Sequence, residues 1–572
     1  MPKRLKAPWL SSYGERKKSL KYPNISMYDQ VEAAAKKNLD ILAYDYFGNR
    51  VNFSSLLSKI DACARGFKAL DIKEGDVISI CSANIPEAVI AIYAANKIGA
   101  VANIFHPLSA PNEIKYYMNL AHSETLVMID VSWPTVKEIL DDTKIRDVIV
   151  ISPSDSLPFL TKVGFKIASL LPTPHKKAPT PDFNDDRLLT WAELLARGVR
   201  VTRRDINTHA RSKDIAAIIY SGGTTGSPKG VALSNLAFTS MSIQLRNFFS
   251  EFVKPGNGIL GIMPIFHGFG LAVGFHMMWS NGLWNFMLPK FDVKKFDKIL
   301  AKARPTFLVG VPTLYEAMLK NRKIRKLDLS FVKVAISGGD NLPDPLKQEI
   351  DNLLRRAGSE ARLIQGYGLA ECLSVSCVTP VEKYKPGTIG IPLADVFYKI
   401  VEPLTDVEKP VGELGEIVLT GPNLMDGYVE NERETNEVLR RHGDGHVWLH
   451  TGDVGYMDEE GYIFFKQRIK RIIVSSGYNI YPSHVEEIIC KVPEVLMATV
   501  VGMPDKYRGQ IAKAFVVLRS GLKHVSHGDI REKIMNQCQQ DLAKYEWPRE
   551  IEFRDSLPKT KIGKVAYTEL TK

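Results

Sequence analysis

Cysteine is scarce in this chain. The six residues, Cys63, Cys81, Cys372, Cys377, Cys490 and Cys538, form no CxxC pair and no regular spacing. That argues against a zinc site or a disulfide framework and for a reducing compartment. Long apolar runs are also missing. The longest, from about Ala88 to Phe105, follows Glu87 and is interrupted by Asn96 and Lys97, too short and too broken to span a bilayer. No apolar segment follows the basic N-terminus, so no secretory signal is expected. Neither sign of charge dominates: 75 basic and 64 acidic residues leave a formal net charge of +11. The basic excess is spread out and no recognition motif accompanies it, which argues against a nucleic-acid binder. It suits polyanionic small molecules, or a weak attraction to an acidic membrane surface. Lys3, Arg4, Lys6, Arg16, Lys17, Lys18 and Lys21 face only Glu15, and this N-terminal stretch reads as a solvated tail, with membrane-surface contact as the alternative. A cytoplasmic protein, peripheral to a membrane at most, is expected.

Short β-branched runs alternate with helical patterns over most of the 572 residues. Val77–Cys81, Ala100–Phe105, Thr125–Ile129, Asp147–Ile151, Ile215–Tyr220, Gly258–Met263, Phe307–Val311 and Lys333–Ile336 read as strands, with a helix from about Pro86 to Ile98. Such alternation predicts an α/β fold with a largely parallel, helix-covered sheet. From about Val396 the pattern becomes strand-rich with Gly and Pro turns, suggesting a β-barrel-like subdomain. After Arg468 a smaller α/β unit is expected, with helices Pro482–Lys491 and Asp529–Asp541 and strands Ala498–Val501 and Ala514–Leu518. Ser154–Asp185, rich in Pro, Ser and Lys, reads as a surface excursion.

The segment Tyr220-Ser-Gly-Gly-Thr-Thr-Gly-Ser-Pro-Lys-Gly230 follows a strand. Gly222, Gly223 and Gly226 let backbone N–H groups crowd around an anion without Cβ clashes. Ser221, Thr224, Thr225 and Ser227 add hydroxyl donors, and Lys229 adds a point charge. A triphosphate asks for this chemistry. Pro228 before the lysine and Gly230 after it exclude a Walker A loop.

This loop resembles the signature of the adenylate-forming superfamily, which includes acyl-CoA synthetases, luciferases and peptide-synthetase adenylation domains. Further segments from about Asn24 to Lys564 match in order. The resemblance implies a large N-terminal domain (1–467) of two parallel-type αβ subdomains plus the barrel-like one, and a small mobile C-terminal domain (468–572). Gly366-Tyr-Gly-Leu-Ala-Glu371 resembles the adenine and metal motif. It implies that Tyr367 stacks on adenine, that Gly366 and Gly368 let the nucleotide lie close, and that Glu371 serves Mg²⁺. The family's usual Thr is Ala370 here, and the missing hydrogen bond to a charged group is worth about 1.5–3 kcal/mol. Ser337-Gly338-Gly339-Asp340 resembles the loop lining adenine and the acyl-pocket floor. Thr451-Gly-Asp453 resembles the motif whose carboxylate holds the ribose hydroxyls. Gln467-Arg468-Ile-Lys470-Arg471 resembles the interdomain hinge, with Arg468 toward ribose and Lys470 at the hinge, although Gln467 and Arg471 depart from the usual Gly and acid. Gly477 resembles the residue beside the pantetheine tunnel. Pro558-Lys-Thr-Lys-Ile-Gly-Lys564 resembles the catalytic-lysine loop, in which Lys564 would neutralise carboxylate and α-phosphate as they approach. Asp458, Glu459 and Glu460 read as a solvated turn.

Met263-Pro-Ile-Phe-His-Gly-Phe-Gly270 resembles the border of the acyl pocket, where His267 either orients the carboxylate or is structural. The apolar stretch Leu271–Trp279, expected on a helix, lines a hydrocarbon tunnel or belongs to the core. The aspartate by which amino-acid-activating relatives pair the substrate ammonium is missing, so an apolar acid is favoured. The pattern is most similar to bacterial medium- and long-chain fatty-acyl-CoA ligases. It implies ATP, Mg²⁺ and coenzyme A as cofactor and co-substrates and a carboxylic acid as substrate. Two rivals stay open: transfer to a carrier-protein thiol, and a nucleotide-binding sensor or pseudoenzyme in which Ala370 marks lost chemistry.

Overall fold

The computed structural model describes residues 4–158, 161–162, 181, 183–207, 210–221, 228–403, 405–471, 473–475, 478–519, 526–559 and 565–571. Most of the expected 154–185 excursion lies outside them. Two large, mainly parallel sheets form the body. In the first, the order runs Ile391–Pro392, Cys377–Val378, Leu363–Tyr367, Val334–Gly338, Phe307–Gly310, Gly258–Gly261, Trp284–Met287, Leu42–Tyr46, Asn49–Asn52. In the second it runs Gly427–Tyr428, Lys229–Ser234, Ile215–Ser221, Val101–Phe105, Val77–Cys81, Thr125–Ile129, Asp147–Ile151, Leu188–Thr190. Antiparallel pairs occur only toward the sheet edges, among the described residues.

One apolar core joins the sheets and takes in helices Met27–Ala35, Phe53–Ala69, Pro86–Lys97 and Asn235–Phe248. Every residue of Pro86–Lys97 is buried. This explains why that stretch is apolar all round rather than along one stripe, and why it mimics a membrane segment in sequence. Helices Phe296–Ala303, Pro312–Lys320 and Asp344–Arg356 cover the outer face of the first sheet with a second core.

The strand-rich region is a five-stranded antiparallel sheet built from Phe397–Val401, Gly415–Thr420, Leu439–Arg441, Val447–Met457 and Ile463–Arg468. Its outer strands do not pair with each other among the described residues, so the barrel-like expectation resolves into an open sheet. The C-terminal unit has its own sheet and core. The expected strands at Ala498–Val501 and Ala514–Leu518 are parts of the two arms of a long hairpin, Val495–Asp505 against Gly509–Leu518, with Glu550–Phe553 added in parallel. Polar residues toward the hairpin tip hide its length in the hydropathy pattern. This unit meets the large body through the ion pairs Arg519–Glu349 and Lys559–Glu316. Among the described residues no helix is long and apolar enough to cross a membrane.

Candidate functional site

Strands Ile215–Ser221 and Lys229–Ser234 pair antiparallel with Ser221 opposite Lys229, so the phosphate-loop segment connects two paired strands. Gly222, Gly223, Thr224, Thr225 and Gly226 lie outside the described residues. At the base, the Tyr220 hydroxyl donates to Asn103 Oδ1 at 2.8 Å and to the Tyr117 carbonyl at 3.1 Å, anchoring the hairpin in the sheet. Lys229 forms an ion pair with Glu434 and sits 4.8 Å from the centre of the Tyr428 ring. The Tyr428 hydroxyl in turn donates to Glu371 Oε1 at 2.8 Å. The phosphate lysine and the metal carboxylate expected from separate motifs are thus brought to one place by Tyr428. Neither Tyr428 nor Glu434 was expected from sequence: a two-residue strand, Gly427–Tyr428, is too short to show a period.

A second group lies at the end of strand Leu363–Tyr367. The strand pairing sets Asp453 opposite Arg468, and Arg468 Nε lies 3.4 Å from Asp453 Oδ1. The Tyr367 hydroxyl donates to Asp453 Oδ2 at 2.6 Å. Asp453 is 1% exposed, and burial pushes its carboxyl up, opposed by the Arg468 charge and the Tyr367 hydrogen bond. The turn before it is braced. Gly452, at φ +69°, donates its N–H to Glu416 Oε1 at 3.0 Å. Thr451 Oγ1 accepts from the Asp453 N–H at 3.0 Å.

The strand expected to stop at Ile336 runs on to Gly338, because Ser337 and Gly338 still pair with Gln365 and Gly366. Gly339 then turns at φ +80° and presents Asp340. Asp340 Oδ2 accepts the backbone N–H of Val565 at 3.0 Å, and Oδ1 accepts the Tyr567 hydroxyl at 3.3 Å. The residues just after position 564 are therefore docked on this loop. Lys564 and Gly477 lie outside the described residues, and Lys470 falls in the short turn Ile469–Arg471. Arg471, which departs from the family's acidic residue, is a strut. It donates to Glu486 Oε1 at 2.7 Å and to the Val500 carbonyl at 3.2 Å, and its guanidinium covers the Tyr567 ring at 4.0 Å.

Gly368 has a reason internal to the chain: a Cβ there would lie 1.5 Å from the Ser374 carbonyl oxygen. Gly366 is less confined, its nearest neighbour being a methyl of Ile336 at 3.5 Å. The turn expected to be solvated has Glu459 and Glu460 exposed, with Lys385 donating to Asp458 and Glu460 across it.

His267 Nδ1 accepts the N–H of Phe269 at 3.1 Å, which leaves Nε2 as the protonated nitrogen of the neutral ring. The stretch expected on a helix is helical, as a π-helix, Phe269–His276, with one α-turn after it. Gly270 packs against Pro264, where a Cβ would meet the carbonyl at 2.0 Å. Wide turns of this kind often accompany functional sites. Between this helix, helix Asn235–Phe248 and the first sheet lies a narrow cavity lined by Leu245, Phe249, Phe269, Val273, Met277, Met278, Ile336 and Gly366, among others. Its side-chain lining is wholly apolar.

Residues 31–429 match the family described as AMP-binding enzyme, and residues 484–564 match the AMP-binding enzyme C-terminal domain. A long-chain-fatty-acid–CoA ligase of Bacillus subtilis (strain 168) is 31% identical over 560 residues, covering 98% of this chain and 96% of the relative. The crystal structure of ATP-bound MatB from Rhodopseudomonas palustris superposes with a TM-score of 0.79 at 24% identity, covering 96% of this chain and 98% of that one. The anthranilate CoA ligase AuaEII in complex with anthranoyl-AMP gives 0.76 at 21% identity, covering 96% of each chain.

Proposed function

Because the chain belongs to the AMP-binding enzyme family, we propose that it is an ATP-dependent acid–CoA ligase acting on medium- or long-chain fatty acids. The observation that carries this reading is the convergence of three elements. The Lys229–Tyr428–Glu371 group and the Tyr367–Asp453–Arg468 group lie near each other, and Gly366, next to Tyr367 in the chain, lines the apolar cavity.

In this reading the hydrocarbon tail fills the cavity and the carboxylate emerges at Gly366. Adenine lies on Tyr367, and the ribose hydroxyls take the place of Arg468 as partners of Asp453, which keeps its hydrogen bond from Tyr367. The triphosphate lies on the 221–229 hairpin, and Lys229 exchanges Glu434 for phosphate oxygens. Glu371, a carboxylate steadied by Tyr428, offers the hard oxygen that Mg²⁺ prefers, and the ion when bound would offset phosphate charge. One carboxylate oxygen attacks the α-phosphorus and the bond to pyrophosphate breaks, giving acyl-AMP. Lys564 neutralises the approaching oxygens. The 468–572 unit then turns about Lys470, which withdraws Lys564 and brings Gly477 beside the pantetheine arm. The CoA thiol loses its proton, attacks the acyl carbon and expels AMP. The similarity to the Bacillus subtilis ligase and the uncharged cavity lining support the fatty-acid assignment.

The test is product formation from ATP, CoA and a panel of acids, alkyl chains of graded length beside benzoate-type acids, with Lys564→Ala alongside. Acyl-CoA and AMP from the longer alkyl acids, lost with Lys564→Ala, are expected. Turnover confined to aryl acids would refute the substrate class. Acyl-AMP that reacts with a carrier-protein thiol but not with CoA would refute the acceptor. Failure of every acid to support pyrophosphate exchange would refute the reaction.

A further inference from the structure

Away from the site just described, the edge of the five-stranded sheet carries a cluster with no role in adenylate chemistry. We propose that Asp406, His442 and His450 form a binding site for a divalent cation of the zinc class. His442 closes the hairpin between strands Leu439–Arg441 and Val447–Met457, and its backbone N–H bonds to the His446 carbonyl at 3.0 Å. His450 lies on the second of these strands, and Asp406 comes from the connection between Phe397–Val401 and Gly415–Thr420.

The geometry fits a metal. The two Nε2 atoms are 3.0 Å apart, and Asp406 Oδ1 lies 3.3 Å from His442 Nε2 and 3.6 Å from His450 Nε2. A tetrahedral zinc with bonds of about 2.0–2.1 Å separates its ligand atoms by about 3.3–3.4 Å. Two histidine nitrogens and one carboxylate, with a further position for water, is a donor set that zinc accepts. Three short edges of one triangle are harder to account for by hydrogen bonding alone, since two imidazole nitrogens in contact can share only one proton between them.

The surroundings point the same way. His450 Nδ1 meets Glu416 Oε2 at 3.0 Å, and that carboxylate is itself buried. A carboxylate behind a histidine fixes its tautomer, so that Nε2 turns a lone pair toward the cluster, the arrangement that metal-bound histidines show. Among the described residues the buried His442 Nδ1 has no hydrogen-bond partner, and the polar contacts of that ring come from its Nε2 side. The histidine side chains are 1% and 3% exposed and Asp406 is 47% exposed, so the triangle has one open side through which an ion and a water can enter. Lys399, whose charge reaches His442, is held away by Asp444 at 2.8 Å and by the Trp448 ring at 4.1 Å. The spacing of the cysteines argues against thiolate sites, and this cluster uses none.

The site would act as a clamp. An ion there ties the 439–450 hairpin to the 402–414 connection. Through Glu416, whose other oxygen holds the Gly452 N–H, it stiffens the turn that presents Asp453.

The experiment uses the full-length protein, stripped with a chelator and dialysed against limiting zinc without nucleotide. Bound metal is counted by mass spectrometry and affinity is read by competition with a chromophoric chelator. One zinc per chain is expected, with affinity falling at least tenfold in Asp406→Asn and in His442→Gln. Asp406 is exposed, so Asp406→Asn should keep the native circular dichroism and give a clean reading even if the histidine variant folds poorly. Cobalt in place of zinc should give the visible absorption of a four-coordinate site in the wild type and lose it in Asp406→Asn. Wild-type protein that binds no zinc at micromolar concentration would overturn the proposal, as would zinc bound equally tightly by Asp406→Asn and His442→Gln.

Discussion

The hydroxyl of Tyr367 donates to Oδ2 of Asp453 across 2.6 Å, joining the ring expected to carry adenine to the carboxylate expected to carry ribose. The two residues come from different sheets, and the bond locks the end of strand Leu363–Tyr367 to the middle of strand Val447–Met457. It is the first relationship that can be tested by substitution. Tyr367→Phe keeps the ring and removes the donor. A hydrogen bond to a charged group is worth about 1.5–3 kcal/mol, so the KM for ATP in pyrophosphate exchange should rise roughly tenfold or more. An unchanged KM would mean that this bond does not prepare the carboxylate.

Asp340 receives the Val565 N–H and the Tyr567 hydroxyl, so it holds the C-terminal segment against the large body. Asp340→Ala should slow acyl-adenylate formation about tenfold, the order expected from losing these contacts. Thioester formation from preformed acyl-adenylate and CoA should be unaffected. Equal slowing of both half-reactions would show that the docked arrangement serves no particular step.

Gly368 faces the Ser374 carbonyl where a Cβ would lie 1.5 Å away, whereas a Cβ on Gly366 would meet its nearest neighbour at 3.5 Å. Backbone cannot retreat as a side chain can, so Gly368→Ala should cost about 3 kcal/mol or more. Gly366→Ala should unfold close to the wild type. Thermal unfolding of the pair, followed by circular dichroism, reads the difference.

Glu87 sits in the wholly buried helix Pro86–Lys97, and burial pushes its carboxyl from 4.5 up to about 7. Between those values the folded chain keeps a proton that the unfolded chain has released. Stability contributed by the protonated group is therefore present below about 4.5 and lost as pH rises through about 7. Glu87→Gln removes the titration and retains a partner for the Ser156 hydroxyl. Its melting temperature should exceed the wild type's at pH 8, by the equivalent of up to about 3 kcal/mol, and match it near pH 4.5. A constant difference across that range would be the contrary result.

Val273 lines the apolar cavity below Gly366. Val273→Phe should shift the preferred acid toward shorter chains by a few carbons, read from kcat/KM across the acid panel, while pyrophosphate exchange with a short acid persists. An unaltered chain-length profile would place the acid elsewhere.

Much of the site was legible in the chain because the groups that handle charge sit in contiguous, glycine-rich segments at strand ends. Tyr367 and Glu371 lie in such a segment, whereas Asp453 sits within strand Val447–Met457 and Arg468 in a segment without glycine, and the parallel α/β organisation follows from β-branched runs a few residues long. Other features left no local trace. Leu271–Trp279 reads as an apolar helix, and hydropathy does not encode its π-winding or the close packing of Gly270 against Pro264. Pro86–Lys97 is apolar on every side because it lies between two sheets, a position that periodicity cannot distinguish from other forms of full burial.

By itself, the order of residues determined which backbone turns can cradle an anion, which side chains can carry charge to it, and that the candidate binding groups are distributed along the chain from Ser221 to Lys564. Only the tertiary structure decided the partnerships: Lys229 with Glu434, Tyr428 with Glu371, Asp340 with Val565, and Asp406 with two histidines. The physical reason is range. Glycine freedom, strand propensity and charge act over a few residues, whereas hydrogen bonds and metal geometry act over about 3 Å in space between groups that strand pairing alone brings together.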